Sequence, residues 1–221
     1  MSLVGRAHPT FRKAAMATKL TVPISEEQIR ALKVGDSVTL SGVIFTGRDA
    51  AHKYMIDNFV KGPCPDSEKE MYEILKKGLK GSVIYHCGPV VRKREDGKYE
   101  FVAAGPTTSI REEPYQADVI GHFGVRAVIG KGGMRDKTLA GCKQHGAVYL
   151  HAIGGAATLI AESVKEVVDV HKLDFGVPEA FWEIRVEDFP CVVTMDAHGN
   201  SLHDKVRTQS EKKLQELLAA G

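Results

Sequence analysis

The chain has 221 residues, of which 43% are hydrophobic and 26% are charged, enough for one large hydrophobic core. Its 30 lysines and arginines nearly balance 28 aspartates and glutamates, so net charge provides no general attraction for nucleic acid or anionic membranes. The apolar runs are far shorter than a membrane span. These properties predict a single soluble folded unit whose partner is neither a nucleic acid nor a membrane.

The amino-terminal segment differs from the rest of the chain in composition. Residues 1–20 contain basic residues, no acidic residue and no clear apolar periodicity, so we expect a disordered extension there. A mitochondrial transit peptide shares this basic character. Met16 offers a second natural start, so a simple upstream extension is the alternative interpretation.

The cysteines and histidines show no pattern of a disulfide framework or a metal site. The cysteines are Cys64, Cys87, Cys142 and Cys191, without any CxxC pair. This spacing favours reduced thiols in a cytoplasmic protein, with mitochondrial import as the alternative. Neither residue type has the spacing of zinc ligands, so we expect no metal site within this chain.

The first half of the chain predicts helices and strands in mixed order. The predicted elements are a capped helix over residues 25–32, a strand over 38–45 with a polar break at 41–42, a helix from residue 49, a strand over 82–87 and a hairpin turn at 94–98. Residues 61–81 combine prolines, acids and a short helix over 67–77. This composition is typical of a surface insertion, and we assign it no chemistry.

From Pro114 onward, helices and strands alternate, which predicts βαβ units and an α/β fold. The predicted helices cover residues 115–123, 138–145, 154–164 and 204–220. The predicted strands cover residues 125–129, 148–151, 167–171, 181–186 and 192–195. The terminal helix is polar, with only Val206, Leu214, Leu217 and Leu218 available for docking.

Two glycine-containing loops are the strongest functional signal. GPTTSIR (residues 105–111) follows a predicted strand over 99–104, and GKGGM (residues 130–134) follows the one that ends at residue 129. Each loop carries one cation, Arg111 or Lys131. In open α/β sheets, ligands bind outside the carboxyl ends of strands. Two cations separated by small polar residues suit a small molecule with two carboxylates. Taken alone, each loop favours a structural interpretation, a capping turn for GPTTSIR and an ordinary loop for GKGGM, and only their combination favours a ligand site.

Arg48 and His52 form a third candidate feature. They lie one helical turn apart at the start of the helix that begins near residue 49, so both side chains can point to the same side. His52 is equally consistent with an ordinary residue of the helix surface.

Many ordered motifs together resemble one family. They are TGRDAAH, YHCGPVVR, GPTTSIR, GKGGM, AIGGAA, FGVPEAFW, VEDF and DAHGNSL. This set is similar to the β subunit, or C-terminal domain, of class I fumarate hydratases and to the β subunit of the sister L(+)-tartrate dehydratases. The similarity covers about residues 21–202, so we place the iron–sulfur hydro-lyase β domain at 21–203 and a C-terminal helix at 204–221. The departures are the longer 61–81 segment and the basic extension.

The resemblance implies a fold, a partner and a cofactor. The fold is a single swivelling β/β/α domain with a mixed central sheet. A separate α subunit carries three cysteines that hold a 4Fe-4S cluster, and the two subunits form a higher hetero-oligomer. The implied reaction is the reversible hydration of fumarate to (S)-malate, which this chain performs only together with its α subunit.

The resemblance also implies roles for individual residues. By motif position, the implied substrate-binding residues are Arg48, Thr108, Arg111, Lys131 and Gly132. Thr107 matches the proton-transferring threonine, and a carboxylate of the α subunit is implied as the group that takes its proton. His52 matches a histidine assigned as catalytic in the tartrate dehydratases, and the sequence leaves open whether it contacts substrate or orients Arg48.

Two alternatives remain open at the level of sequence. One is a dehydratase for tartrate or another hydroxy-diacid, although the AIGGAA and VEDFP stretches look closer to fumarases. The other is a non-catalytic binding subunit.

Overall fold

The computed structural model describes residues 17–219. Its strands are β1 (Thr18–Thr21), β2 (Ser37–Thr46), β3 (Val83–Tyr85), β4 (Val90–Lys93), β5 (Tyr99–Ala103), β6 (Ala127–Gly130), β7 (Val148–His151), β8 (Val164–His171) and β9 (Phe181–Met195). Its α-helices are α1 (Glu26–Ala31), α2 (Asp49–Met55), α3 (Lys69–Leu79), α4 (Gln116–Phe123), α5 (Asp136–His145), α6 (Ala157–Ala161) and α7 (Leu202–Ala219). A π-helical turn, Ile56–Val60, extends α2.

Seven strands form the central sheet in the order β1-β2-β3-β6-β7-β9-β8. The neighbours from β1 to β7 run parallel, whereas β9 runs antiparallel to β7, β8 and β2. The additional β2–β9 pairing closes β2, β3, β6, β7 and β9 into a barrel-like ring. Strands β4 and β5 form the expected separate hairpin. The predicted α/β fold with a mixed central sheet is therefore confirmed.

Alternation along the strands divides the apolar residues between two cores. In β3, Val83 and Tyr85 face one core, and Ile84 faces the other. The first core is shared with β9, for example through Trp182. The second lies beneath α2 to α5. The helices therefore cover one face of the sheet and support the loops at the strand ends.

The folded part begins earlier than the sequence indicated. Strand β1 pairs in parallel with β2 from Thr18 onward, and Leu20 is only 2% exposed. The predicted boundary of the extension at residue 20 is therefore wrong for Thr18–Leu20, because this short strand buries a leucine. The predicted disorder of residues 1–16 lies outside the described residues.

Segment 61–81 is also more than a surface insertion. Helix α3 runs to Leu79 rather than to residue 77, and it buries Met71, Leu75 and Leu79 in the second core. The prediction of a non-core element is wrong because these side chains lie four residues apart, close to one helical turn, and so give α3 one continuous apolar face. No chemistry is assigned to it.

Three elements differ in length from their predictions. Helix α6 ends at Ala161, and β8 begins at Val164 where a helix end was expected. The two strands predicted at 181–186 and 192–195 are one strand, β9, which contains Asp188 with a φ of 48°. The polar break expected at 41–42 is a bulge within β2. A bulge or an irregular residue inside a long strand has the same sequence pattern as a strand end.

Helix α7 contributes little to either core. Over its described length none of its residues is buried, and Val206, Leu214, Leu217 and Leu218 are 52–67% exposed. Their predicted docking is therefore not observed. Within residues 17–219, no helix has the length and apolarity needed to cross a bilayer.

Candidate functional site

Parallel strands deliver the candidate residues to one edge of the sheet. β2, β3, β6 and β7 are mutual neighbours in one direction, so their carboxyl ends meet. Arg48 follows β2 as the N-cap of α2, and Lys131 follows β6 directly. The predicted strand-end location is confirmed for GKGGM, whereas GPTTSIR follows β5 of the separate hairpin rather than a strand of the central sheet.

Backbone hydrogen bonds connect the GPTTSIR loop to the ends of β3 and β6. The amide of Thr107 donates to the carbonyl of His86 at 2.7 Å, and the amide of Lys131 donates to the carbonyl of Thr107 at 3.2 Å. The amide of Ser109 donates back to the carbonyl of Lys131 at 3.1 Å. These bonds place the two predicted loops side by side, although some twenty residues separate them in sequence.

Each of the two arginines is held by a carboxylate. Nε of Arg48 lies 3.3 Å from Oε1 of Glu179, and Nη2 of Arg111 lies 2.9 Å from Oδ2 of Asp49. Nη2 of Arg111 also donates to Oγ1 of Thr107 at 3.3 Å. Arg111 therefore joins α2 to the threonine of the loop.

Glycine at position 88 makes room for Arg48. A Cβ at Gly88 would lie 2.3 Å from Nη1 of Arg48 and 3.0 Å from Pro178. The guanidinium therefore passes close over the backbone after β3, in a gap that a larger residue would fill.

Lys131 differs from the arginines because, within the described part of the chain, no carboxylate pairs with it, whereas both arginines have one. Its Cδ packs near Gly154 of the AIGGAA loop, where a Cβ would lie 3.4 Å away. The neighbouring Gly132 is exposed and has a φ of 79°. Thr108 is exposed and pairs with Lys131 through a parallel bridge. An ammonium without an internal partner is available to an external anion.

A buried network of hydrogen-bonded polar side chains lies beneath these loops. Nε2 of His52 and Nε2 of His86 lie 2.9 Å and 2.8 Å from Oε1 of the same residue, Gln116. Nδ1 of His86 lies 2.8 Å from Oγ of Ser109, which accepts a hydrogen bond from the hydroxyl of Tyr149 at 2.8 Å. This network connects α2, the residue after β3, α4, β7 and the GPTTSIR loop.

His52 belongs to this network and is fully buried. Its Nδ1 lies 2.9 Å from the carbonyl oxygen of Arg48, and its side chain has no exposed surface. Burial lowers its pKa and that of His86, which favours neutral rings. The geometry places His52 against the backbone of Arg48 rather than on the ligand-facing surface.

The end of β6 requires a glycine for the same network. A Cβ at Gly130 would lie 1.8 Å from Oγ of Ser109 and 2.9 Å from the hydroxyl of Tyr149. Any side chain there would displace the serine that anchors the GPTTSIR loop.

Glu112 is the least satisfied charged side chain of the site. It has no exposed surface, and neither carboxyl oxygen has a hydrogen-bond partner among residues 17–219. Burial, followed by the nearby negative charge of Asp49, raises its pKa to about 8, against the lowering effect of Arg111.

Sequence reasoning missed the residues that support the cations. These are Asp49, Ser109, Glu112, Gln116, Tyr149 and Glu179. Asp49 and Glu112 each lie next to a predicted arginine in sequence, which is the one local signal that they gave. Gln116 and Tyr149 gave none, because their contacts join distant elements.

The thiols do not fit an iron–sulfur cluster. Three of the four cysteines are buried, and burial raises the pKa of Cys87 and Cys142 to about 12, which disfavours the thiolate. Among residues 17–219, no three histidine, cysteine or acidic side chains converge as metal ligands. The described part of the chain therefore lacks a ligand set for the cluster that the resemblance implies.

Several known proteins are similar in sequence to this chain over most of its length. A Geobacillus stearothermophilus protein provisionally named fumarate hydratase class I is 55% identical over 195 residues, which are 88% of this chain. This chain spans only 35% of that relative's length. The Escherichia coli K12 L(+)-tartrate dehydratase subunit beta is 40% identical over 184 residues, covering 83% of this chain and 85% of that subunit.

A protein of Methanocaldococcus jannaschii, provisionally named as the same tartrate dehydratase subunit, is 40% identical over 197 residues. The alignment covers 88% of this chain and 95% of that protein. The family model described as Fumarase C-terminus matches residues 5–206. The resemblance drawn from the motifs is confirmed, and the chain belongs to the Fumarase C-terminus family.

Proposed function

We propose that this chain is the β subunit of a hydro-lyase that hydrates fumarate to (S)-malate reversibly, acting together with an α subunit. The observation that carries the proposal is that Arg111 and Lys131 both hydrogen-bond to Thr107 at the sheet edge where Arg48 follows β2. The named relatives, a fumarate hydratase and two tartrate dehydratase subunits, support the hydro-lyase class.

The three cations would bind the two carboxylates of the substrate. Lys131 is already without a carboxylate partner among the described residues, whereas Arg48 and Arg111 each exchange one for the substrate. Charge also accumulates on a carboxylate when the neighbouring C–H bond loses its proton, and fixed cations stabilise that charge. Gly132 and Thr108, exposed beside Lys131, leave room for the ligand.

Thr107 would hold or move the proton of that C–H bond. A threonine hydroxyl is a poor base unless its own proton is taken and the resulting negative charge is stabilised. Arg111, which donates to its Oγ1 at 3.3 Å, is placed to provide that stabilisation. We assign the group that takes the threonine proton to a carboxylate of the α subunit.

His52 would act as a positioning residue rather than touch substrate. It is fully buried and meets the backbone carbonyl of Arg48 at 2.9 Å. Through Gln116 and His86 it ties the start of α2 to the GPTTSIR loop. A fixed distance between Arg48 and Thr107 is what two-point binding of a diacid needs.

The 4Fe-4S cluster is assigned to the α subunit. The described part of this chain offers no metal-binding group, and its buried thiols are held as neutral S–H groups. Ile153 is 68% exposed beside the Gly154 that packs on Lys131, and Leu159 of α6 is 64% exposed. Apolar side chains at the rim of a charged site suit a partner that closes over it.

A tartrate dehydratase β subunit is the second candidate function. The observation in its favour is the 40% identity to the two tartrate dehydratase β subunits, over 83% and 88% of this chain. The higher identity to the fumarate hydratase, 55% against 40%, is the reason that we propose fumarate as the first candidate substrate.

The test is anaerobic co-expression of the full chain with candidate α subunits, followed by assays on (S)-malate, L(+)-tartrate and D-tartrate. Turnover of malate at a rate well above that of either tartrate is the expected result. Preference for a tartrate would select the second candidate. A stable αβ complex with a full cluster and no turnover of any diacid would favour a non-catalytic binding subunit.

A further inference from the structure

Gln116 of α4 lies between two buried histidines and is itself fully buried. One end of its amide faces Nε2 of His52 at 2.9 Å and Nε2 of His86 at 2.8 Å. The two rings lie edge to face, with their centroids 5.1 Å apart. A side-chain amide has nearly the same shape when its oxygen and its NH2 are exchanged, so the hydrogen-bonding needs of its partners decide which end faces the rings.

The other nitrogen of His52 determines what its Nε2 can do. Nδ1 lies 2.9 Å from the carbonyl oxygen of Arg48, which only accepts hydrogen bonds, so Nδ1 carries a hydrogen. A neutral imidazole has one N–H, and Nε2 is therefore an acceptor that needs a donor. The amide oxygen would face this nitrogen lone pair to lone pair. The NH2 of Gln116 provides the donor.

A charged His52 is the alternative, because an imidazolium donates from both nitrogens. The ring has no exposed surface, its nitrogens contact a carbonyl and an amide, and the nearby carboxylate of Asp49 is paired with Arg111. A buried cation without its own anion is costly, and burial lowers the pKa of this ring. With the oxygen towards the rings, the NH2 of Gln116 would also have no acceptor among residues 17–219. A buried N–H without a partner is rarer than a carbonyl oxygen without one, so these contacts favour the neutral ring.

We propose that the NH2 of Gln116 donates one hydrogen bond to each ring and thereby fixes both histidines in the Nδ1–H form. His52 then donates to the carbonyl oxygen of Arg48, which also accepts from the backbone amide of His52 at 2.9 Å. His86 donates from Nδ1 to Oγ of Ser109 at 2.8 Å. That oxygen keeps a second lone pair for its tyrosine donor. Every ring nitrogen then has a partner of the opposite kind.

Gln116 is in this way a positioning residue for the proposed reaction, and this role rests on the proposed function. Through the histidine of α2 it holds the backbone of Arg48, the N-cap of that helix. Through the histidine after β3 it holds Ser109 of the GPTTSIR loop, whose amide donates to the carbonyl of Lys131 at 3.1 Å. One side chain therefore controls the separation of cations that come from two strand ends, which two-point binding of a diacid requires.

The first test locates the ring hydrogens in the full chain. Long-range ¹H–¹⁵N NMR spectra of protein with ¹⁵N-labelled histidines separate protonated from bare ring nitrogens. The signals of the two rings are identified by their loss in His52→Gln and His86→Gln. If either variant unfolds, the two rings are those whose signals change in Gln116→Glu but not in Gln144→Glu, at an exposed position of α5.

At neutral pH we expect a hydrogen on Nδ1 and a bare Nε2 in both buried rings. A hydrogen on Nε2 of either ring would show that the amide oxygen accepts from it, and would overturn the proposal.

The second test is kinetic and uses the assembled αβ enzyme. A carboxyl group donates at most one hydrogen bond and cannot serve both rings, so Gln116→Glu should lower kcat/KM for (S)-malate on the order of 10-fold. Gln144→Glu is the matched control and should leave kcat/KM unchanged. Wild-type kcat/KM in a folded Gln116→Glu enzyme would overturn the positioning role of Gln116.

The two tests also separate this proposal from the proposed function. If no protein of the series, the wild type included, turns over any diacid, the proposed function fails. The NMR spectra of the full chain do not depend on turnover, and they alone then decide whether the NH2 of Gln116 faces both rings.

Discussion

Arg111 donates from Nη2 to Oγ1 of Thr107 at 3.3 Å while the same nitrogen lies 2.9 Å from Oδ2 of Asp49. The threonine oxygen therefore has a cation beside it before any ligand binds. A hydroxyl in that position ionises more easily than one in water, since the cation stabilises its oxyanion. A structural and a catalytic role for Thr107 give different results on mutation.

Thr107→Ala should fold and bind substrate through the three cations, yet lose turnover by about 100-fold or more in the αβ enzyme, the usual scale for an acid–base group. Exchange of the substrate C–H hydrogen with solvent should fall in parallel. Thr208→Ala, on exposed α7, is the matched control. If Thr107 only supports the loop, the cost is about 0.5–2 kcal/mol of stability as at a helix cap, with near-normal turnover.

Lys131→Ala should lower kcat/KM by an amount on the order of one charge-assisted hydrogen bond, about 1.5–3 kcal/mol or more. The stability should change little, because in residues 17–219 no carboxylate depends on this ammonium. Steady-state kinetics and thermal melting measure the two effects. Lys205→Ala on α7 serves as control, and unchanged kinetics in Lys131→Ala would remove this residue from the site.

The buried histidines predict a loss of stability in acid. Burial lowers the pKa of both His52 and His86, so below about pH 6.5 the unfolded chain binds protons that the native protein excludes. The free energy of unfolding should then fall with decreasing pH by up to about 1.4 kcal/mol per pH unit for each ring. The free energies of unfolding of wild type and His52→Gln, measured by urea titration at several pH values, should differ in their pH dependence by the contribution of one ring. The same pH dependence in both proteins would contradict the buried neutral state.

The contribution of Glu112 to the free energy of unfolding should fall with rising pH, the opposite of the contribution of the two histidines. Its pKa is raised to about 8, so the native state holds a proton that the unfolded chain releases above about pH 4.5. Its contribution therefore declines as the pH rises towards 8. Glu112→Gln should gain stability relative to wild type over this window, again by up to about 1.4 kcal/mol per pH unit. A constant difference between the two proteins would exclude a buried proton at this position.

Two leucines test the contrast between α3 and α7. Leu75 has no exposed surface, whereas Leu217 is 61% exposed. Leu75→Ala should cost about 2–5 kcal/mol of stability because it leaves a cavity in the second core. Leu217→Ala should stay within about 0.5 kcal/mol. Denaturant unfolding of the full chain measures both, and equal effects would show that α3 is not part of the core.

The loops with Thr107 and Lys131 could be located from sequence because small residues and a cation follow an apolar strand in each case. The rule for parallel strand ends accounts for Lys131 but not for the position of GPTTSIR, because β5 lies outside the central sheet and the loop reaches β3 and β6 through hydrogen bonds to His86 and Lys131. The supporting residues could not be found in this way. Gln116 bridges two histidines that precede it by 30 and 64 residues, and such long-range polar contacts leave no local pattern.

The same limit explains the errors in the fold. The segment around Asp188, which has a positive φ, was interpreted as a break between two strands. Strand β9 continues through it because β2 pairs with Val186 before it and with Phe189 after it. Helix α3 appeared to be an insertion because prolines and acids precede it, whereas its buried face is determined by a core formed from distant elements.

Closure of the sheet through β2 and β9 also determines how the site can move. Strands β3 and β6 each have a hydrogen-bonded neighbour on both sides, so the backbone beneath His86 and Lys131 has no free edge from which to fray. Backbone amides such as those of Ile84 and Val128 should exchange with deuterium only when the whole domain unfolds. Motions that admit substrate are then confined to side chains and loops, with the spacing of their anchor points held constant.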